Sequence, residues 1–195
     1  MYIDSLRDGW FRRLRTDERP LLLEHWGRLP DDCVRRRFLR PMRTADFKAH
    51  ADAVFGTGAE ALGWFRDGVL RGVGELFKGG TTAEAAFTVE PDFRRNGIGR
   101  ALLQHVARRA RILGCQTLVV MTTRDNAPML RIALHEGATL EHDGLDVTGT
   151  IALDPATFAT LFLDRQEEDA SAVSEVATRM ARMARAWWPG SALRR

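Results

Sequence analysis

Positions 89–103 read V-E-P-D-F-R-R-N-G-I-G-R-A-L-L: the end of a strand, a tight basic loop with two glycines, and the opening of a helix. Val89 closes an apolar run over 85–89, and Pro91, which has no N–H to give a ladder, stops the strand. Arg94, Arg95 and Asn96 lead into Gly97-Ile98-Gly99. From there apolar residues fall at Ile98, Ala101, Leu102, Val106 and Ala110, which is helical spacing. A glycine-bearing turn that opens a helix leaves several backbone N–H groups without an intrahelical partner, and the helix dipole adds partial positive charge beside them. Such a turn is an anion site, and phosphate is its usual guest.

Upstream, Trp10-Phe11 and Leu14 between arginines predict a first strand. Thr16-Asp17-Glu18 begins a helix carrying Leu21, Leu22, Leu23, His25 and Trp26, which Gly27 and Pro30 end. Asp31-Asp32 caps a short helix over 33–39, and Thr44-Ala45-Asp46 starts another that runs to about Phe55. The period then changes: runs over 61–66, 70–77 and 81–89, separated by Asp67-Gly68 and Gly79-Gly80, predict three strands in hairpin order.

Downstream, the helix over 97–113 ends at Gly114. Q-T-L-V-V-M-T at 116–122 predicts a central strand covered on both faces. Asn126 caps the next helix, with Pro128 in its first turn, and 138–142 and 146–153 form a last hairpin across Asp143-Gly144. The class is α+β (mixed α/β), a single twisted, mostly antiparallel sheet flanked by helices. The helix after Val89 is a crossover, so the two strands it joins are expected to be parallel.

Residues 1–153 form one domain in this reading, and 154–195 a helical C-terminal extension. Its expected parts are a short helix over 155–163, a polar break at Arg165-Gln166-Glu167-Glu168-Asp169, and an amphipathic helix. That helix carries Ala170, Val173, Val176, Ala177, Met180, Met183, Ala184 and Trp187 on one side. The stripe needs a cover: its own domain, a second copy in a homodimer, or, more weakly, a membrane surface.

Composition bounds the rest. With 195 residues, 45% hydrophobic and 28% charged, the chain is long enough for one domain with a full core. No apolar run approaches the length of a membrane span, and 1–10 has no basic segment followed by an apolar one, so neither a span nor a signal peptide is expected. Cys33 and Cys115 are far apart and read as reduced thiols of a cytoplasmic protein. No group of His, Cys, Asp or Glu has metal-ligand spacing, and no metal is expected. A net charge of +3, with no aromatic residues interleaved among the arginine clusters, argues against nucleic acid as a partner.

Arg94-Arg95-Asn96-Gly97-Ile98-Gly99, with V-x-P before it, A-L-L after it and an asparagine-started helix beyond the next strand, resembles the coenzyme A motif of the GNAT superfamily of N-acetyltransferases. The resemblance covers about 10–153. It implies that acetyl-CoA is the co-substrate and that the backbone N–H groups of Arg95, Asn96, Gly97, Ile98, Gly99 and Arg100 cradle its diphosphate. It also implies that Phe87, Thr88 and Val89 pair their backbone with the pantetheine arm and that Asn126 contacts that arm.

The reaction this implies is attack of a primary amine on a thioester, which needs a proton acceptor. Glu84, in T-A-E-A-A-F-T-V, matches the strand glutamate that serves as general base in related protein-lysine acetyltransferases, and partial burial would raise its affinity for a proton. Glu75 is second choice, as base or as anchor for the amine. Many family members carry a tyrosine acid seven residues after the asparagine; here that position is Ala133, and the chain's one tyrosine is Tyr2. His135, near in sequence, is expected to face elsewhere. The leucine-rich first helix, the R-R-R-F segment and Glu84 are similar to the bacterial lysine-acetyltransferase type, which leaves a protein lysine or a small amine as acceptor. A coenzyme-binding module without turnover is the alternative that the missing tyrosine leaves open.

Overall fold

The structure, a computed structural model, describes residues 9–56 and 58–187; Tyr2 lies outside the described residues. Strand β1 (Gly9–Arg13) is followed by a 3-10 turn (Thr16–Glu18) and helices α1 (Arg19–Gly27), α2 (Asp31–Phe38) and α3 (Thr44–Gly56). A meander of β2 (Glu60–Arg66), β3 (Val69–Gly79) and β4 (Thr82–Val89) comes next. After a 3-10 turn (Pro91–Phe93) come α4 (Ile98–Ile112), β5 (Thr117–Thr123), α5 (Ala127–His135), β6 (Thr139–Asp143), β7 (Asp146–Ala152) and α6 (Phe158–Trp187).

One seven-stranded sheet carries the fold, in the order β1-β2-β3-β4-β5-β7-β6. Every neighbouring pair is antiparallel except β4–β5, which the α4 crossover makes parallel. The Asp67-Gly68 turn has both residues at positive φ, 52° and 69°, the geometry whose twist matches a tight hairpin.

The sheet separates two cores. On one face Leu76, Ala83, Ala85, Leu118 and Val120 pack under α4 through Leu103, Val106 and Ala110. The approach is close: a Cβ on Gly74 would lie 2.9 Å from Val106, so the strand under this helix needs glycine there. On the other face α1–α3 cover β2 and β3 through Leu22, Trp26, Val34, Ala51 and Val54, which meet Phe65, Leu70 and Val73.

Two expectations are corrected. β5 is not fully covered: Met121 is 46% exposed, because that face opens onto a cleft. The C-terminal segment is one thirty-residue helix with no break at Arg165-Gln166-Glu167-Glu168-Asp169. Those residues include good helix formers, and no glycine or proline interrupts 158–187. α6 packs on β1 and α4, yet Val173, Val176 and Met180 are 71, 52 and 65% exposed. The Met183, Ala184 and Trp187 side chains lie outside the described ones.

Candidate active site

β4 and β5 run as a parallel pair from Thr82↔Thr117 to Ala85↔Val120, where the ladder ends. Beyond it the strands part, and a cleft of about 890 Å³ occupies the gap, at the upper end of ordinary ligand pockets. Its floor is Ala86–Val89 on one side and Val120–Thr122 on the other; α2, the loop at 94–100 and α5 close it.

The alternation of strand hydrogen bonds decides what β4 offers. The N–H of Glu90 donates to Arg71 O (2.9 Å), toward β3. Backbone groups two residues apart point the same way, so Thr88 and Ala86 also serve β3, whereas Phe87 and Val89 turn toward the gap. The Val89 carbonyl already accepts from Arg94 Nε at 2.9 Å. Of the three residues expected to pair by backbone, Phe87 and Val89 offer the gap a backbone edge, while Thr88, which also lines the cleft, turns its backbone to β3.

The loop has the shape expected of an anion site. Arg95 and Gly97 have φ of 62° and 80°, the second serving as the N-cap of α4. The first intrahelical bond runs from Ala101 N to Gly97 O (2.9 Å), so the N–H groups of Ile98, Gly99 and Arg100 have no intrahelical acceptor. Left-handed residues alternating with ordinary ones turn successive N–H groups into a concave cradle. Arg94, Arg95, Gly97, Gly99 and Arg100 line the cleft. Asn96 and Ile98 do not; the Ile98 side chain is buried against Trp64 and Leu102, leaving only its backbone for a ligand. Asn126 lines the cleft while its Oδ1 accepts from Met129 N at 3.4 Å and its Nδ2 donates to Thr122 Oγ1 at 2.9 Å.

Basic and apolar residues share the remaining walls: Arg36, Arg37 and Arg131 with Leu29, Met129 and Ile132. A cradle of N–H groups, guanidinium groups and an apolar trough fit a ligand with a phosphorylated end and an extended arm, which is what coenzyme A is. When bound, its thioester supplies an activated acyl group.

Residues 11–136 match the Acetyltransferase (GNAT) family. The chain belongs to that family. This GNAT chain resembles the GNAT domain of Streptomyces lividans PAT (TM-score 0.64, 21% identity, covering 73% of this chain and 89% of that one). It also resembles yncA from Salmonella typhimurium, a putative acetyltransferase solved with its cofactor acetyl-CoA (TM-score 0.61, 20% identity, 76% and 96% covered). A third likeness is the Escherichia coli ribosomal-protein-S18-alanine N-acetyltransferase (TM-score 0.61, 18% identity, 77% and 97% covered). At these identities the likeness is one of fold. An amino-acid acetyltransferase of Ralstonia nicotianae is 43% identical over 61 residues, which is 30% of the GNAT chain but only 14% of that relative.

Glu84 stands opposite Phe77 on β3 and Val119 on β5, one position before the ladder ends. It is exposed rather than partly buried, and it is not among the cleft-lining residues. Glu75, opposite Ala86, is fully buried. Its Oε2 accepts from Arg37 and pairs with His50 Nε2 at 2.9 Å, and its Oε1 has no partner among the described residues. Burial pushes this carboxyl up, but the Arg37 charge and the His50 hydrogen bond outweigh burial and hold it below the usual range. Ala133 is buried and offers no acid. His135, expected to face elsewhere, lines the cleft.

Sequence reasoning missed a second polar group. Glu90, just past β4, accepts from Arg28 Nε (2.7 Å) and Arg71 Nη1 (2.9 Å) and pairs with His25 Nδ1 (3.3 Å). Burial pushes Glu90 up, but these three hydrogen bonds prevail and hold it at about 2. His25, wholly buried, also meets Thr88 Oγ1 through Nε2 at 2.8 Å; burial lowers its pKa against the pull of Glu90. A histidine inside a leucine-rich helix carries no sequence mark of a partner 63 residues away.

Proposed function

We propose that the chain transfers an acetyl group from acetyl-CoA to a primary amine, the amine attacking the thioester carbonyl directly in a ternary complex. The observation that carries this reading is the parting of β4 and β5 after Ala85↔Val120, facing the left-handed loop at Arg95 and Gly97. The loop residues 95–100 take the diphosphate, and the outward backbone of Phe87 and Val89 takes the arm. Asn126 closes the β5 side. The gap's apex then receives the reacting end.

Glu84, beside that apex, is the proton acceptor of this reading, exchanging with the ammonium directly or through water. Phe87 N–H turns toward the gap and is placed to stabilise a developing oxyanion. With Ala133 where an acid is common, the thiolate takes its proton from water. A protein lysine or a small amine is the acceptor class, and the partial match to an amino-acid acetyltransferase supports an amine. The exposed Val173, Val176 and Met180 support a homodimer through α6. Two buried free thiols, Cys33 and Cys115, support a reducing, cytoplasmic setting.

A second reading rests on Glu84 lying outside the cleft lining and on Ala133: a module that binds acyl-CoA without turnover. A screen of acetyl-CoA consumption against amines and lysine peptides separates the two. Amine-dependent thiol release supports the transferase. Coenzyme binding with no release across the panel supports the module.

A further inference from the structure

Thr88 is the one residue of the β4 floor with a side-chain hydroxyl, and the gap receives nothing from its backbone, which serves β3. That hydroxyl is tied at 2.8 Å to His25 Nε2, and His25 Nδ1 lies 3.3 Å from Glu90 Oε1. The direction of the hydrogen bonds along this chain follows from donor and acceptor capacity. Glu90 is an ionised carboxylate, held by Arg28 and Arg71, and can only accept. In the neutral ring that burial favours, His25 then carries its one hydrogen on Nδ1, which leaves Nε2 with a lone pair. Thr88 is the donor to that lone pair. Its single hydrogen is spent on His25, so toward any further partner Thr88 Oγ1 can only accept.

We propose that Thr88 is a hydrogen-bond acceptor for the pantetheine arm of the coenzyme A thioester, held in that polarity by the buried His25–Glu90 pair. The inference rests on the coenzyme reading above. It gives the arm an acceptor that no backbone group at this position supplies; the arm's amide N–H and hydroxyl groups are the donors that match it. It also gives a use to an imidazole that is wholly buried in the first helix, where a polar group is costly unless bonded. Glu90 and His25 do not touch the ligand in this scheme and are positioning residues.

The test compares two ligands by calorimetric titration: coenzyme A, and 3′-phosphoadenosine 5′-diphosphate, which has the nucleotide and diphosphate but no arm. Thr88→Val keeps the side-chain shape and removes the oxygen. It should weaken coenzyme A binding about tenfold, the size of a lost hydrogen bond that leaves a buried donor unpaired. Binding of the nucleotide half should stay within about twofold of wild type, which a general disturbance of the cleft would not allow. Thr88→Ser should bind both ligands as wild type does. Should Thr88→Val fail to fold, Thr88→Ala carries the same expectation. Unchanged coenzyme A affinity in the variant overturns the inference, and so does an equal loss for both ligands. A wild type that binds neither ligand overturns the coenzyme reading itself, and the inference with it.

Discussion

Ala85 of β4 stands opposite Val120 of β5, and the parallel ladder ends with that pair. A ligand entering the gap can replace the missing strand, but only if the loop beyond β4 holds its charged end. Gly97 is the hinge of that hold, at φ 80° and directly before α4. Gly97→Ala should cost about 1–2 kcal/mol, because an L-residue is strained there. For a chain of this length that is a fall of roughly 2–8 °C in Tm. The rise in Tm on adding coenzyme A should shrink as well, since the N–H groups that follow Gly97 are re-aimed. Differential scanning calorimetry with and without coenzyme A reads both. A variant that melts and binds as wild type would show that the left-handed turn is dispensable.

Glu84 tests the chemistry separately from binding. It is exposed on β4 and carries none of the loop's hydrogen bonds, so Glu84→Gln should fold and bind coenzyme A as wild type does. Turnover with whichever amine the wild type accepts should fall by about 10²–10⁴, the usual worth of a general base. Steady-state kinetics beside a coenzyme A titration makes the measurement. Retained turnover in Glu84→Gln would move the base to Glu75, opposite Ala86 in the β3–β4 register.

How far the sequence foretold this site depends on the range of the signals. Turn chemistry and strand alternation are local, so Asp67-Gly68, the meander and the loop at 94–100 were all readable from neighbouring residues. So was the parallel pairing of β4 with β5, because a crossover helix requires it. The burial of Glu75 was not readable: a glutamate in G-V-G-E-L-F looks like any strand carboxylate until Arg37 and His50 arrive from α2 and α3. Nor was the lining of the cleft by α2, since Cys33 and Arg36 reach it only through tertiary packing. The C-terminal break failed for another reason. Polar composition alone does not break a helix, and Glu, Gln and Arg favour one.

Acid should loosen the molecule at Glu90. This carboxyl is ordinarily at 4.5 and is held at about 2 in the fold. A depressed carboxyl contributes stability that is fully present above its unfolded value and is lost as pH falls through the folded one. The window is therefore from about 4.5 down to about 2, and the contribution is on the order of 3 kcal/mol. Glu90→Gln should lose that stability at pH 7, where Arg28 and Arg71 keep their charge without the carboxylate. It should also show a flatter acid limb than wild type. Urea midpoints taken from pH 7 to pH 2 on both proteins check this. Parallel limbs would mean that other carboxylates carry the acid transition.

Val173, Val176 and Met180 fall at i, i+3 and i+7, one stripe of α6, and all three are exposed while the helix packs on β1 and α4. An apolar stripe of this kind on a helix otherwise docked on its own domain is suited to a like stripe on a second copy, in the self-complementary arrangement of a two-fold dimer. Truncation after Asp164 keeps that residue's pairing with Arg109, 3.7 Å away, and removes the stripe. Light scattering should then give twice the chain mass for the full protein and the single-chain mass for the truncated one. Val173→Glu with Val176→Glu should do the same without shortening the helix, since like charges would face each other across the two-fold axis. A full-length chain that runs as a monomer, or a truncated one that stays dimeric, would remove α6 as the dimer contact.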